Sequence, residues 1–205
     1  MRALPLLLAL SMTATAAPVL AGPYEDGQAF YERGDYVVAL SIWRRLADEG
    51  DANAQFRVAV LYDLGRGVVQ DYSAAVAWYR KAAEQGHANA QHNLASLYEE
   101  GLGVEPDYAV AAALVWFRRA AEQGYPASQC SLGVMYATGR GLRRDDIQAY
   151  KWLTLAMSRY PALQRDGVTL AKRNRDLVAL RITPHQAAQA ERLAQEWQAK
   201  PERSP

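Results

Sequence analysis

The chain has 205 residues, half of them apolar and 22% charged, and its formal net charge is only +1. A near-zero net charge provides no global field that would attract nucleic acid or an anionic membrane. Alanine and tyrosine are plentiful and β-branched residues are sparse, which favours helices over strands. We therefore expect an all-α protein that does not bind nucleic acid.

The first 21 residues have the features of a secretory signal peptide. Arg2 supplies the positive start, Leu4 to Leu10 the apolar stretch, and Ala21 ends a small-residue cleavage site. An uncleaved anchor is the alternative, but the apolar run is broken by polar residues and is too short to span about 30 Å of hydrocarbon. We expect cleavage before Gly22, with a site near Ala17 as the alternative. The mature chain is then periplasmic or secreted, with no membrane insertion.

Three consecutive segments align with one another at a period of 36 residues: 51–86, 87–124 and 125–160. The middle segment has two extra residues before Trp116, and an incomplete unit at 22–50 precedes the three copies. Self-similarity at such a period is the sequence signature of a helical repeat array.

The first half of each unit has apolar residues at i, i+4, i+7 and i+8, which is one face of an α-helix. A Gly-x-Gly turn follows this helix in every copy, and its first glycine suits a left-handed helix C-terminus. The predicted core positions are Ala54, Val58, Leu61 and Tyr62, then Ala90, Leu94, Leu97 and Tyr98, then Ser128, Leu132, Met135 and Tyr136.

The second half of each unit predicts another helix, which an aspartate begins and caps. A small residue and then a tryptophan follow the aspartate, and these allow close helix approach and supply a large buried area. The residues are Asp71, Ala75 and Trp78, then Asp107, Ala111 and Trp116, then Asp145, Ala149 and Trp152.

Residues 161–205 are not another copy of the repeat. A stripe of apolar residues predicts one amphipathic helix, and Thr183-Pro184-His185-Gln186 is a capping box that begins a second. Because a helical solenoid needs its open end covered, we interpret this segment as a C-terminal cap. The stripe comprises Leu163, Leu170, Ala171, Leu177 and Val178, and the second helix is expected to bury Ala190, Leu193, Ala194 and Trp197.

The sequence offers little chemistry for catalysis or for metal binding. His87 and His92 are five residues apart, so on a helix they point too far apart to share a metal ion. Cys130 is the only cysteine, which excludes an internal disulfide. No nucleophile elbow or phosphate-binding loop is present. We predict no cofactor, no metal site and no catalytic residues.

The recurring stretches Ala-Gln-x-x-Leu-x-x-x-Tyr-x-x-Gly-x-Gly-Val, Asp-Tyr-x-x-Ala and Trp-[Tyr/Phe]-Arg-x-Ala-Ala-Glu-Gln-Gly resemble the Sel-one-like repeat family over residues 24–160. This resemblance implies a tetratricopeptide-like α/α superhelix that binds proteins and is not an enzyme. A cysteine-rich branch of the family is linked to penicillin binding and β-lactam hydrolysis, but it pairs cysteines within each unit. An envelope hydrolase or β-lactam-binding protein, and a secreted effector that engages host proteins, are the alternatives to an exported adaptor.

In this architecture the first helices line the concave surface, and a peptide or protein partner is expected there. On a helical wheel, the side opposite the core stripe changes its chemical character from unit to unit, as a surface specialised for one ligand would. The predicted partner-binding residues are Phe56, Val60 and Asp63, then His92, Ser96 and Glu99, then Val134 and Ala137.

Overall fold

The computed structural model describes residues 22–105, 109–161 and 163–200, so the predicted signal peptide and the predicted cap Asp107 lie outside the described residues. The described residues form ten α-helices and no strand. The helices are α1 (Pro23–Arg33), α2 (Tyr36–Asp48), α3 (Ala52–Leu64), α4 (Tyr72–Glu84), α5 (Ala88–Glu100), α6 (Ala109–Glu122), α7 (Pro126–Thr138), α8 (Asp146–Arg159), α9 (Arg165–Ala179) and α10 (Pro184–Gln195).

The helices form a linear stack in which each one, from α1 to α8, packs against the next in the chain, and α10 returns to pack on α8. This arrangement confirms the predicted all-α solenoid of helix–turn–helix repeats. None of the helices in the described ranges is both long and apolar enough to cross a membrane.

The predicted core stripe of the first helices is buried in all three copies at its first three positions, whereas the tyrosine at the fourth position (Tyr62, Tyr98 or Tyr136) is half-buried. Ala54, Val58 and Leu61 are fully inaccessible to solvent, and their counterparts in α5 and α7 are buried as well. Trp78 and Trp152 are buried in the second helices, and a lysine ammonium lies over each ring at 3.9 and 4.6 Å from its centroid. The units therefore pack through the faces that the period predicts.

The Gly-x-Gly turn performs two different tasks in each unit. The first glycine, such as Gly101 with φ +71°, ends the helix in the left-handed conformation, as predicted. The second glycine lies against the preceding unit. A Cβ atom on Gly103 would lie 2.5 Å from the backbone carbon of Tyr72 in α4, and one on Gly67 would lie 2.6 Å from that of Tyr36 in α2. The second glycine therefore sets the spacing between units.

The alignment of the middle unit needs one correction. Ala111 is exposed, and Ala113 is the residue that is fully buried in α6. Likewise, Trp116 is only half-buried, whereas the neighbouring Phe117 is 1% exposed. Helix α6 has 14 residues against 13 in α4, so the two extra residues lie mainly before the helix. The predicted role of Ala111 is wrong because the insertion shifts the register ahead of it.

Three buried glutamines connect each first helix to the preceding second helix. The Nε2 atoms of Gln55, Gln91 and Gln129 donate to the carbonyl oxygens of Ala47, Ala83 and Ala121 at 3.1, 3.0 and 3.1 Å. Each of these carbonyl groups also accepts from the backbone N–H of the glycine that closes the unit, so the glutamine adds a second hydrogen bond at the end of the preceding helix. The repeated Ala-Gln pair of the sequence is therefore part of the contact between units.

A second glutamine completes this link in two of the three units. Gln85 donates to Oε1 of Gln55, and Gln123 to Oε1 of Gln91, both at 2.8 Å. In the third unit, the Oε1 atom of Gln129 has no hydrogen-bond partner among the described residues. The corresponding position there is Arg159, whose guanidinium lies over the Trp197 ring at 4.4 Å. The pattern ends where the cap begins.

The cap confirms the predicted helix start and corrects the predicted stripe. Thr183 and Gln186 form both hydrogen bonds of the capping box at the start of α10. In α9, Ala171 and Val178 are buried against the stack, but Leu170 and Leu177 are exposed. The predicted stripe therefore divides into a buried row of small residues and an exposed row of leucines. Leu163, before the helix, is exposed too.

The charges are unevenly distributed along the chain, although they nearly cancel overall. Residues 22–124 have nine Lys or Arg and fifteen Asp or Glu, whereas residues 125–205 have thirteen and seven. The formal charge is thus −6 in the first part and +6 in the second. The two ends of the stack consequently present potentials of opposite sign to a partner.

Candidate partner-binding face

The eight predicted partner-binding residues lie on the first helices α3, α5 and α7, and all eight are half-buried. We call the side of these three helices that carries them the α3–α5–α7 face. Side chains on this face connect neighbouring first helices: His92 on α5 is 2.9 Å from the hydroxyl of Ser128 on α7. The residues thus lie at the junctions between units, where they are neither fully exposed nor part of the core.

His92 occupies the junction between α5 and α7. Its ring centroid is 5.5 Å from that of Phe117 and 5.1 Å from that of Tyr125. Burial among these rings lowers the pKa of His92 to about 4, because the charged imidazolium would lose its hydration there. His92 is therefore an uncharged hydrogen-bonding residue at neutral pH. Ser96, one turn later, donates to the His92 carbonyl at 3.1 Å.

A small polar pocket of about 210 Å³ opens between α3 and α5. Two of the predicted residues, Asp63 and Ser96, line it together with residues that the sequence analysis did not single out. The lining residues are Asp63, Tyr72, Asn93, Ser96, Leu97, Glu100 and Leu102. We call this the Asp63 pocket.

A chain of hydrogen bonds orients the Asp63 carboxylate. The Tyr79 hydroxyl donates to Oδ2 of Asp63 at 3.0 Å, and Asn93 Nδ2 donates to the Tyr79 oxygen at 2.9 Å. Burial raises the pKa of Asp63, while the bond from Tyr79 opposes that change. Burial raises the pKa of Tyr79 as well. Among the described residues, no cation forms an ion pair with Asp63 or with Glu100, so the pocket holds uncompensated negative charge.

Glu99 already has a partner within the chain. Arg140, which follows α7, forms an ion pair with the Glu99 carboxylate at 2.8 Å and donates to its backbone carbonyl at 3.0 Å. Replacing Glu99 with lysine would therefore break a contact between units as well as change the charge of the surface. Glu99 contributes to the packing of α5 on α7.

The remaining predicted residues contribute mainly to packing. Phe56 stacks on the His87 ring at a centroid distance of 4.6 Å and lies 5.9 Å from the Tyr79 ring. Val60 packs against the core of the first units, and Val134 and Ala137 against the cluster that contains Ala149 and Ala171. These contacts leave the Asp63 pocket as the part of the face with both space and unpaired polar groups.

Asn93 and Glu100 are the pocket residues that the sequence analysis missed. Both are in α5, Asn93 about one turn before Ser96 and Glu100 about one turn after it. Neither departs from the repeat pattern. Only the position of Tyr79, which approaches from α4, shows that Asn93 and Asp63 belong to one network. The helical wheel of the first helices cannot indicate this network, because Tyr79 belongs to a second helix.

Cys130 and the histidines do not form a reactive centre in the described part of the chain. Cys130 is buried, and burial raises the pKa of its thiol, which disfavours the reactive thiolate. Within the described residues, no group of three His, Cys, Asp or Glu side chains is arranged to hold a metal ion.

Stacked helix pairs with recurring contacts define this protein as an α-solenoid repeat protein. The family model described as Sel1 repeat matches residues 19–51, 52–87, 88–125 and 126–158. The chain belongs to the Sel1 repeat family. Proteins of this family generally mediate protein–protein interactions, and they are typically scaffolds without enzymatic activity.

Two solved structures are similar to the chain. A Sel1 repeat protein from Oxalobacter formigenes is 28% identical with a TM-score of 0.70, and the match covers 86% of this chain and 68% of that one. A protective antigen of uropathogenic Escherichia coli with an SLR fold is 29% identical with a TM-score of 0.57, and the match covers 85% of this chain. The chain spans less than half of that antigen, 44%. No curated protein sequence matches the chain.

Proposed function

We propose that the protein is an exported scaffold that binds a peptide or protein segment along the α3–α5–α7 face. The observation that carries this proposal is the Asp63 pocket, which combines an oriented, half-buried carboxylate with unoccupied space. A scaffold needs such a fixed point, because a partner's side chain gains little from a fully hydrated surface charge. The protein performs no chemistry in this role.

The chemistry of the pocket specifies a basic residue of the partner. Asp63 and Glu100 supply carboxylates without an ion-pair partner among the described residues, and the Ser96 hydroxyl lines the same space. Burial disfavours the charged form of Asp63, so an incoming lysine or arginine would relieve that cost while forming a charge-assisted hydrogen bond. We expect an extended segment with one such residue in the pocket and its neighbours across α5 and α7.

Export is part of the proposal and is supported by residues 1–21. The positive start, apolar run and small-residue ending of this segment are the features that secretion machinery recognises. Fractionation of the producing cell and N-terminal sequencing of the mature protein would test this. We expect the protein in the periplasm or medium with Gly22 as its first residue; an intact N-terminus on the cytoplasmic protein would contradict export.

The binding proposal is tested by site-specific photocrosslinking in the producing cell. A photoreactive residue replaces Ser96 in the pocket, and a matched control replaces Ala77, which is exposed on α4. The second variable is Asp63→Asn, which removes the charge but keeps an oxygen that accepts from the Tyr79 hydroxyl. We expect a defined crosslinked partner from position 96 that is absent from position 77.

Loss of this crosslink in the Asp63→Asn variant, with unchanged thermal stability, would support a basic partner residue in the pocket. A crosslink that persists unchanged with Asp63→Asn would exclude the carboxylate as the recognition element. Equal crosslinking from positions 77 and 96 would show that the α3–α5–α7 face is not the binding surface.

A further inference from the structure

The cap has an exposed apolar surface that the proposed function does not use. Leu170 and Leu177 are each 52% exposed on α9, and Leu180, directly after the helix, is 83% exposed. The two helical leucines are seven residues apart, so they lie on one side of α9, two turns from each other. The buried residues Ala171 and Val178 attach the other side of α9 to the stack. We call the exposed side, with Arg173 between the leucines, the α9 leucine face.

A shallow groove of about 440 Å³ runs along this face. All its lining residues belong to α9 or directly follow it, and two leucines lie among four polar side chains there. Such a mixed helix surface can receive the apolar row of a partner helix. The lining residues are Thr169, Lys172, Arg173, Asp176, Leu177 and Leu180. Large apolar side chains grouped on an exposed protein surface are typical of an interaction site.

The charges around the groove indicate what kind of partner fits. Lys172 is paired with Asp176 at 3.1 Å, but the guanidinium groups of Arg165 and Arg173 have no hydrogen bond or ion pair within the described part of the chain. The entire segment from residue 125 onward has a formal charge of +6. A complementary partner therefore presents apolar side chains to the leucines and carboxylates to the unpaired arginines.

We propose that the α9 leucine face docks an acidic amphipathic helix of a partner protein. Leucine-type residues of that helix fill the groove beside Leu177 and Leu180, and glutamate or aspartate residues pair with Arg173 and Arg165. This surface lies on the cap, outside the α3–α5–α7 face, so the protein has two separate attachment points.

An anionic membrane fits the same face less well. Asp166 and Asp176 lie on α9 among its basic residues. A helix with a few carboxylates can place them beside Arg165 and Arg173 and away from these two aspartates, whereas a continuous layer of anionic headgroups cannot. A groove in which four polar residues surround two leucines also suits a row of side chains better than a flat bilayer does. Pairing of α9 with α9 of a second copy is disfavoured because each helix has four basic residues against two acidic ones, so like charges would meet.

The experiment uses fluorescence anisotropy with a labelled synthetic helix that has leucine at every third or fourth position and flanking glutamates. The matched probe has lysine in place of glutamate. We expect the glutamate probe alone to bind the full chain, and its affinity to fall as salt is raised. Arg173→Glu and Leu177→Asp should each weaken binding at least about tenfold. The control Val69→Asp makes the same kind of change at an exposed apolar residue in the acidic part of the chain and should leave binding unchanged.

Several outcomes would overturn the proposal. These are equal binding of both probes, no binding of the glutamate probe, or retention of affinity in both variants. Binding of the chain to anionic vesicles that is lost in Leu177→Asp would assign the face to a membrane instead. A concentration-dependent oligomer in sedimentation velocity that Leu177→Asp abolishes would assign it to a second copy. The Asp63→Asn substitution leaves the cap intact, and the cap variants leave the Asp63 pocket intact. Failure of the α9 proposal is therefore distinguishable from failure of the proposed function at the Asp63 pocket.

Discussion

The repeats and the cap use apolar residues in different ways. In the repeats, each first helix has neighbours on both sides of the stack, and its apolar stripe is buried copy after copy, as at Val58 and Leu94. In the cap, α9 has the stack on one side only. Ala171 and Val178 face the stack, while Leu170 and Leu177 remain exposed.

This difference shows what repetition adds to an amphipathic pattern. A stripe that recurs at a fixed period must meet another copy of itself, so its burial follows from the period. A stripe that occurs once has no such constraint, and its larger residues can serve a surface instead. The following predictions test the contrast between the repeats and the cap.

The largest effect is expected at the second glycine of a repeat turn. Gly103→Ala places a Cβ atom 2.5 Å from the backbone carbon of Tyr72, in addition to the strain of φ +66°. Because backbone cannot move aside without shifting a whole unit, we expect a loss of at least about 3 kcal/mol in the free energy of unfolding. Urea unfolding followed by circular dichroism measures it.

Gly101→Ala is the matched control, since its φ of +71° is similar and no atom lies within 4 Å of the added Cβ. Its cost should be only the 1–2 kcal/mol, roughly, of left-handed strain. The cap offers a third comparison, Gly167→Ala, whose Cβ would meet the half-buried Tyr160 ring rather than backbone. Equal losses for Gly101→Ala and Gly103→Ala would refute the spacing role of the second glycine.

The buried glutamines should contribute less to the free energy of unfolding where the stack meets the cap. Gln91→Leu removes the bond to the Ala83 carbonyl and the acceptor of Gln123, both of them in a buried environment. We expect a loss of about 2 kcal/mol, because two hydrogen bonds inside the stack are lost at about 1 kcal/mol each. Gln129→Leu removes only the bond to Ala121 and also eliminates an oxygen without a partner, so about 1 kcal/mol is expected.

Chemical unfolding of the two variants measures this difference directly. A Gln129→Leu variant that is destabilised as strongly as Gln91→Leu would show that Oε1 of Gln129 is satisfied in solution. The contrast between the interior and the end of the stack would then disappear.

The sequence predicts the parts of the fold that depend on local chemistry and on the period. The Asp71 and Asp145 caps, the capping box at Thr183 and the left-handed Gly65, Gly101 and Gly139 are all confirmed. Each depends on a few adjacent residues, whose preferences are strong enough to read without a structure.

The errors arise where the outcome depends on contacts that the period does not encode. The prediction for Ala111 is wrong because an insertion can lie before a helix or within it, and only the burial of Ala113 in α6 decides between the two. The sequence predicts only some of the residues that line the Asp63 pocket. Asp63 and Ser96 follow from the helical wheel, but Asn93 joins them only through Tyr79 of a different helix. The apolar stripe of one helix does not predict which side chains of other helices it will contact.

The half-buried His92 of the repeats should make the free energy of unfolding depend on pH. The unfolded chain takes up a proton at His92 near pH 6.5, but the folded chain does so only near pH 4. Between these values the unfolded state binds more protons, so the free energy of unfolding decreases as the pH falls. We expect His92→Gln to remove on the order of 2 kcal/mol of this decrease.

Denaturant unfolding at pH 7 and pH 4.5, roughly the ends of this window, measures the change for each variant. His87, whose pKa burial also lowers, contributes in the same direction and remains in the His92→Gln variant. His185→Gln, at an exposed position in the first turn of α10, is the control for the substitution itself. An unchanged decrease in His92→Gln would mean that His92 is hydrated in solution.

The smallest change in the free energy of unfolding is expected on the α9 leucine face. Leu177→Gln should change the free energy of unfolding by less than about 0.5 kcal/mol, because an exposed side chain contributes little to the fold. Val178→Ala, at the adjacent buried position, should cost about 1–2 kcal/mol because it deletes two buried methyl groups. Thermal and urea unfolding of the two variants compare the faces of one helix. If Leu177→Gln costs as much as Val178→Ala, the leucine is part of the cap's own core in solution. If it costs nothing, the leucine is retained without any benefit to folding, which is what a docking surface requires.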